Sequence, residues 1–160
     1  MTVTSCDTDL ETLTLTLVSD FSAPVERVWR LWSDPRVLEG WWGPPTYPAT
    51  VEEHDLVPGG AVTYYMTGPQ GDRHHGWWKV VAVSPPTSLE FVDGFADADG
   101  TPSEKLRNTT RVEISEHDGG TRMVTRSTFA SEEEMRQLMG MGMEEGMREA
   151  AGQIDALLRD

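Results

Sequence analysis

Cysteine occurs once in this chain, as Cys6, so no disulfide can close within it and no cysteine cage can hold a metal. Basic residues are also few. The 13 Lys and Arg stand against 27 Asp and Glu, a formal net charge of −14. That balance excludes nucleic acid as an expected partner, because neutralising phosphates needs a basic footprint. It works equally against an anionic membrane surface. No apolar run approaches the roughly 20 residues of a membrane span, and the opening MTVTSCDTDLE lacks a basic-then-apolar leader. The expectation is a cytoplasmic protein without membrane insertion. A chain of 160 residues suffices for one domain with a real core and is short for two.

Other signatures are missing as well. No glycine-rich loop runs from a strand into a helix, which speaks against nucleotide binding. No Ser-His-Asp or Cys-His arrangement can be assembled. His74 and His75 are adjacent, so on a strand they face opposite ways and cannot chelate together, and His54 and His117 lie in unrelated segments. No metal and no cofactor are expected. The segment DGFADADG, Asp93–Gly100, lacks the ordered ligands and closing glutamate of a calcium loop and reads as a solvated turn.

What is present is strong periodicity. In LETLTLTLV, Leu13, Leu15 and Leu17 alternate with threonines, the period of a half-buried strand. In APVERVWRLW, Val25, Val28, Trp29 and Trp32 share one helical face. Asp34-Pro35 starts a second short helix that ends near Gly40–Gly43, leaving Trp41 and Trp42 at its exit. From Tyr47 to Phe129 strands and turns follow, with hairpin signals at GPQGD and HDGG. The count comes to about six or seven antiparallel strands. From Ser131 onward the pattern is helical. Ser131 and Glu134 have the spacing of a capping box, and Met135, Leu138, Met139, Met143, Met147, Ala150, Ile154, Leu157 and Leu158 form one stripe. An unbroken helix there would run about 40 Å. Gly140, Gly142 and Gly146 each cost such a helix about 1 kcal/mol relative to alanine. Close approach to the sheet or room for a ligand would account for them.

FSAPVERVWRLWSDPRVLEGWWGP, DLVPGG, GWWKV, PPTSLEF and MGMEEGMREAAGQIDALL resemble the activator-of-Hsp90-ATPase-homologue-1-like group of the START-like (SRPBCC) helix-grip superfamily. The likeness spans about Leu13 to Leu158, which is taken as the core of a single domain, 1–160. It implies an α+β helix-grip fold: a curved antiparallel sheet around a long C-terminal helix, with two short helices after the first strand. Members of the wider superfamily bind apolar ligands in the cavity between sheet and helix, and a few are cyclases or hydrolases. The group's name implies a third reading, an Hsp90-type co-chaperone or stress-related interaction protein. The additional N-terminal domain of its eukaryotic namesake is not expected here. Where relatives often carry Gly-Trp in the last helix, this chain has Gly142-Met143, an adaptable thioether in place of a rigid ring.

Such a cavity would take a small apolar or amphipathic molecule. Its expected wall is Trp42, Tyr64, Met66, Trp78, Phe91, Met123, Thr125, Met135, Leu138, Met139 and Met143. Trp41 and Trp42 point in different directions at a helix exit, so one can plug the core while the other lines the cavity. Met141 lies off the stripe, exposed or at a contact between two copies, and a homodimer stays open as a partner. The nameable inward positions are nearly all apolar, which ranks binding above catalysis. Tyr64, His74 or His75 pointing into the cavity beside a carboxylate would strengthen the case for catalysis.

Overall fold

The computed structural model describes residues 3–159. The eight strands are β1 (Val3–Asp9), β2 (Thr14–Phe21), β3 (Ala49–His54), β4 (Ala61–Thr67), β5 (Arg73–Ser84), β6 (Ser88–Ala96), β7 (Asn108–His117) and β8 (Gly120–Phe129). All pair antiparallel in one sheet of order β1-β2-β8-β7-β6-β5-β4-β3. Every neighbouring pair is consecutive in sequence except β2 and β8, which carry the first and last strands of the main run together. Register shifts at Val51/Glu53 and Val80/Ala82 mark bulges, the device by which strands bend.

The strand count exceeds the six or seven expected from sequence by an edge strand. β1 buries only Val3 and is otherwise exposed or half-buried, so its sequence carries no alternation. Leu13, expected to start an inward row, instead sits in the β1–β2 turn at φ 57°. The true inward row of β2 is Leu15, Leu17, Ser19 and Phe21.

Between β2 and β3 come α1 (Val25–Ser33) and α2 (Pro35–Leu38). Val28, Trp29, Leu31 and Trp32 are buried, and α1 packs on β7 and β8. The Asp34 carboxylate accepts from the Arg36 N–H and caps α2 at its proline, as the Asp-Pro pair implied.

The C-terminal stripe is helical but not one rod. It is divided into α3 (Glu132–Gly140), α4 (Met143–Ala151) and α5 (Ile154–Leu158). The break falls at Met141-Gly142, where Gly142 takes φ 89°, in the left-handed region. Side chains with a Cβ disfavour that region by about 1–2 kcal/mol. The three glycines are therefore not there for close approach to the sheet. A Cβ on Gly140 would meet nothing within 4 Å, and one on Gly146 would only touch Pro44 at 4.0 Å. Gly142→Ala is expected to lower the melting temperature by roughly 4 °C for a chain of this size. Gly140→Ala should leave it equal or slightly higher. Thermal unfolding followed by circular dichroism measures both.

Ser131 Oγ accepts from the Glu134 N–H at 3.2 Å, the first half of the capping box. The reciprocal half does not form. Glu134 Oε1 instead accepts from the N–H of Leu106 at 2.8 Å and ties the β6–β7 loop to the start of α3.

Candidate functional site

The inward face of the sheet changes character along its strands. At one end Leu89, Val112, Ile114 and Met123 are buried, and α1 lies over β7 and β8. At the other end Asp93, Asn108, Thr110 and Ser127 occupy inward positions, each reached by alternation from the apolar set. Above this polar end lies a cavity of about 430 Å³, bounded by the sheet, the segment after α2 and the α3–α4 region. Its wall draws on both apolar clusters of the core: Leu17, Trp32, Trp41 and Met123 on one side, Leu138 with Met143 and Met147 on the other.

Of the residues expected to form the wall, Trp42, Tyr64, Met66, Met123, Thr125, Leu138 and Met143 border this space. Trp78, Phe91, Met135 and Met139 do not. Trp78 and Phe91 stack on each other with centroids 4.0 Å apart at 13° and lie beneath the wall as core. Met135 is buried in the second cluster with Leu15 and Phe129, and Met139 packs against that cluster from outside. Met143 packs against the same cluster but also borders the cavity. Met141 is 60 % exposed and sits at the cavity mouth.

The paired tryptophans divide their work. Trp41 donates its indole N–H to Leu31 O at 2.9 Å, fixing the end of α1. Trp42 is half-buried, and its indole N–H has no partner. Trp32, Trp41, Trp42 and Trp78 form one aromatic cluster with ring centroids 4.8–5.9 Å apart, mostly edge to face.

Tyr64 reaches into the cavity across Gly76, its cross-strand partner. A Cβ on Gly76 would collide with the phenol ring, so the glycine makes room for it. Burial first, and then the charge of Asp93, push the Tyr64 hydroxyl far above its usual range. The indole N–H groups of Trp42 and Trp78 lie close enough to the phenol to favour its ionised form, yet neither makes a well-formed hydrogen bond.

The residue that sequence reasoning missed is Asp93. It was assigned to a solvated turn, but it lies on β6 two positions after the buried Phe91. The alternation Leu89, Phe91, Asp93 was the signal that could have found it. Its Oδ1 accepts from Asn108 Nδ2 and from Thr110 Oγ1, both at 2.9 Å. Oδ2 has no hydrogen-bond partner among the described residues. Asp93 is half-buried and borders the cavity. Burial accordingly pushes it up to about 7, against the pull of its two donors.

His74 stands at the rim with its ring beside Tyr47, hydrogen-bonded to Asp72, and His75 faces the other side against Tyr65. Among the described residues, no three His, Cys, Asp or Glu side chains gather as a metal site. Among the described residues, no helix is long and apolar enough to cross a membrane.

An antiparallel sheet folded over C-terminal helical segments, with a cavity at their junction, defines the helix-grip class. The chain belongs to the activator of Hsp90 ATPase homologue 1-like family, whose sequence profile matches residues 22–159. It is similar to a crystal structure of a Mycobacterium smegmatis protein, at 51% identity and a TM-score of 0.91, over 98% of this chain and 97% of that one. It is equally similar to a solution structure from Arthrobacter aurescens, at 51% identity and a TM-score of 0.94, over 98% and 92%. A Silicibacter pomeroyi protein that bears the family's name has the same fold at 24% identity, with a TM-score of 0.72 over 91% and 96%. No curated protein matches the chain.

Proposed function

We propose that the protein binds a small, largely apolar molecule in the cavity between the sheet and α3–α4. The observation that supports this most is the cavity itself: about 430 Å³ walled by tryptophan, tyrosine, methionine and leucine side chains. A tightly packed interior leaves no such space, and a mostly apolar pocket with a few polar groups is the usual form of a ligand site. Burying apolar ligand surface contributes about 25 cal/mol per Å².

Thermal-shift and native mass spectrometry screens with aromatic polyketides, flavonoids, fatty acids and apolar amines test the reading. A retained or stabilising ligand is the expected result, and its absence across all four classes would sink the proposal. Met143 begins α4 on the cavity wall. Met143→Trp should fill part of the space and weaken a captured ligand about tenfold or more, read by titration calorimetry.

A second reading, an enzyme of cyclase or hydrolase type, is favoured by one observation: Asp93 and Tyr64 line the same cavity. No activated nucleophile accompanies them, which keeps this reading second. A chaperone partner rests on the family's name alone. The ATPase rate of a bacterial Hsp90, measured with and without the protein, tests it.

A further inference from the structure

We propose that Asp93 is the polar anchor of this cavity, and that the ligand carries a protonated amine on an apolar, ring-sized body. This rests on the cavity being a binding site, and it names the chemistry of what binds.

The geometry supplies the argument. Asn108 and Thr110 both donate to Oδ1, so the carboxyl plane is fixed while Oδ2 is left without a partner on the cavity wall. Among the described residues, no Lys or Arg lines the cavity to act as a counter-ion. Arg107, the nearest cation in sequence to Asn108, stacks its guanidinium on the Trp77 ring at 4.9 Å and donates Nε to Ser103 O. The neighbouring strands offer Asp93 only neutral groups: Tyr64 from β4, Gly76 and Trp78 from β5, Asn108 and Thr110 from β7, Thr125 and Ser127 from β8. The α3–α4 side adds Leu138, Met143 and Met147, also uncharged. The imidazole of His74 stands at the rim, hydrogen-bonded to Asp72.

A desolvated carboxylate without a partner is unfavourable, and a ligand ammonium removes that penalty by pairing with it. The rings of Trp42 and Tyr64 add attraction for a cation at their faces. The net charge of −14 draws cations toward the protein and repels anions. An anionic ligand would have to approach Asp93 against its charge. A protonated amine suits every one of these features.

The test uses 1-naphthylmethylamine, its neutral analogue 1-ethylnaphthalene, and the alcohol 1-naphthalenemethanol, titrated calorimetrically at about pH 8 and about pH 5.5, an interval in which the amine stays charged. The wild-type protein is expected to bind the amine about tenfold or more tighter than the hydrocarbon at the higher pH. That preference should largely vanish at the lower pH as Asp93 takes up its proton. Asp93→Asn should bring the amine down to the level of the hydrocarbon and remove the pH dependence. A pH dependence that persists in Asp93→Asn assigns it to His74 and overturns the inference. So does alcohol binding as tight as amine binding, or hydrocarbon binding with no amine preference. In those cases the cavity-binding reading stands. Failure of all three probes to bind also overturns the inference, and the wider ligand screens then decide the cavity-binding reading.

Discussion

Trp32→Ala is expected to destabilise the protein by about 3–5 kcal/mol, the range for deleting a fully buried tryptophan from a core. Trp32 is 1 % exposed, and its ring touches Trp41, Trp42, Trp78 and Phe91 at centroid distances of 4.9–6.1 Å. Its indole N–H points at the Met123 sulfur at 3.2 Å. The site cannot collapse easily, because Trp32, Trp41 and Trp42 border an existing cavity that would simply enlarge. Chemical denaturation should show the midpoint shift, with the melting temperature falling by about 10 °C. Val81→Ala, on a side chain 47 % exposed, is the control and should stay within about 0.5 kcal/mol of the parent. A Trp32→Ala variant as stable as the parent would mean that the aromatic cluster is not the keystone of this end of the core.

Asp93→Asn is expected to stabilise the protein at about pH 8, by something on the order of 4 kcal/mol. The sign follows from the titration. Asp93 titrates at about 7 when folded, against an ordinary value of 3.8. Between those two values the folded chain holds more protons than the unfolded one, so stability falls as pH rises through the interval. The stabilising contribution is complete below the unfolded value and gone above the folded one. Asparagine keeps an oxygen to accept from Asn108 and Thr110 and carries no charge to desolvate. The difference in stability between variant and parent should therefore be small at about pH 4 and grow toward about pH 8. Taking the difference cancels the changes in net charge that both proteins share. A flat difference across that range would show that Asp93 is solvated after all.

How much of this was visible in the sequence depended on whether a residue's surroundings repeat along the chain. The helical face of Val28, Trp29 and Trp32 and the Ser131 cap were readable because a single period or a short spacing sets them. β1 was not, since an edge strand that buries only Val3 has no alternating pattern to betray it. The unbroken C-terminal helix was a fair inference from the apolar stripe. It failed at Gly142 because an apolar stripe reports one continuous face and is blind to a residue at positive φ. Tyr64, Met66, Met123 and Thr125 border the cavity and were legible because they sit on alternating strand positions. Met135 and Met139 were misplaced with the helix that was supposed to carry them. Asp93 was lost to its composition. Three aspartates and two glycines within eight residues look like a loop, although the strand runs on through the first of them.

The division of the C-terminal helix has a mechanical consequence. An intact rod passes a twist or a push from one end to the other. Here the ladder of amide bonds is interrupted at Met141-Gly142, while the far end is moored by Arg27 Nη2 donating to Leu158 O at 2.7 Å and by Gln153 reaching Gly43 O, also at 2.7 Å. α3 is thus not continuous with the moored piece that follows it, and a push on α3 is not carried along one rod to Leu158.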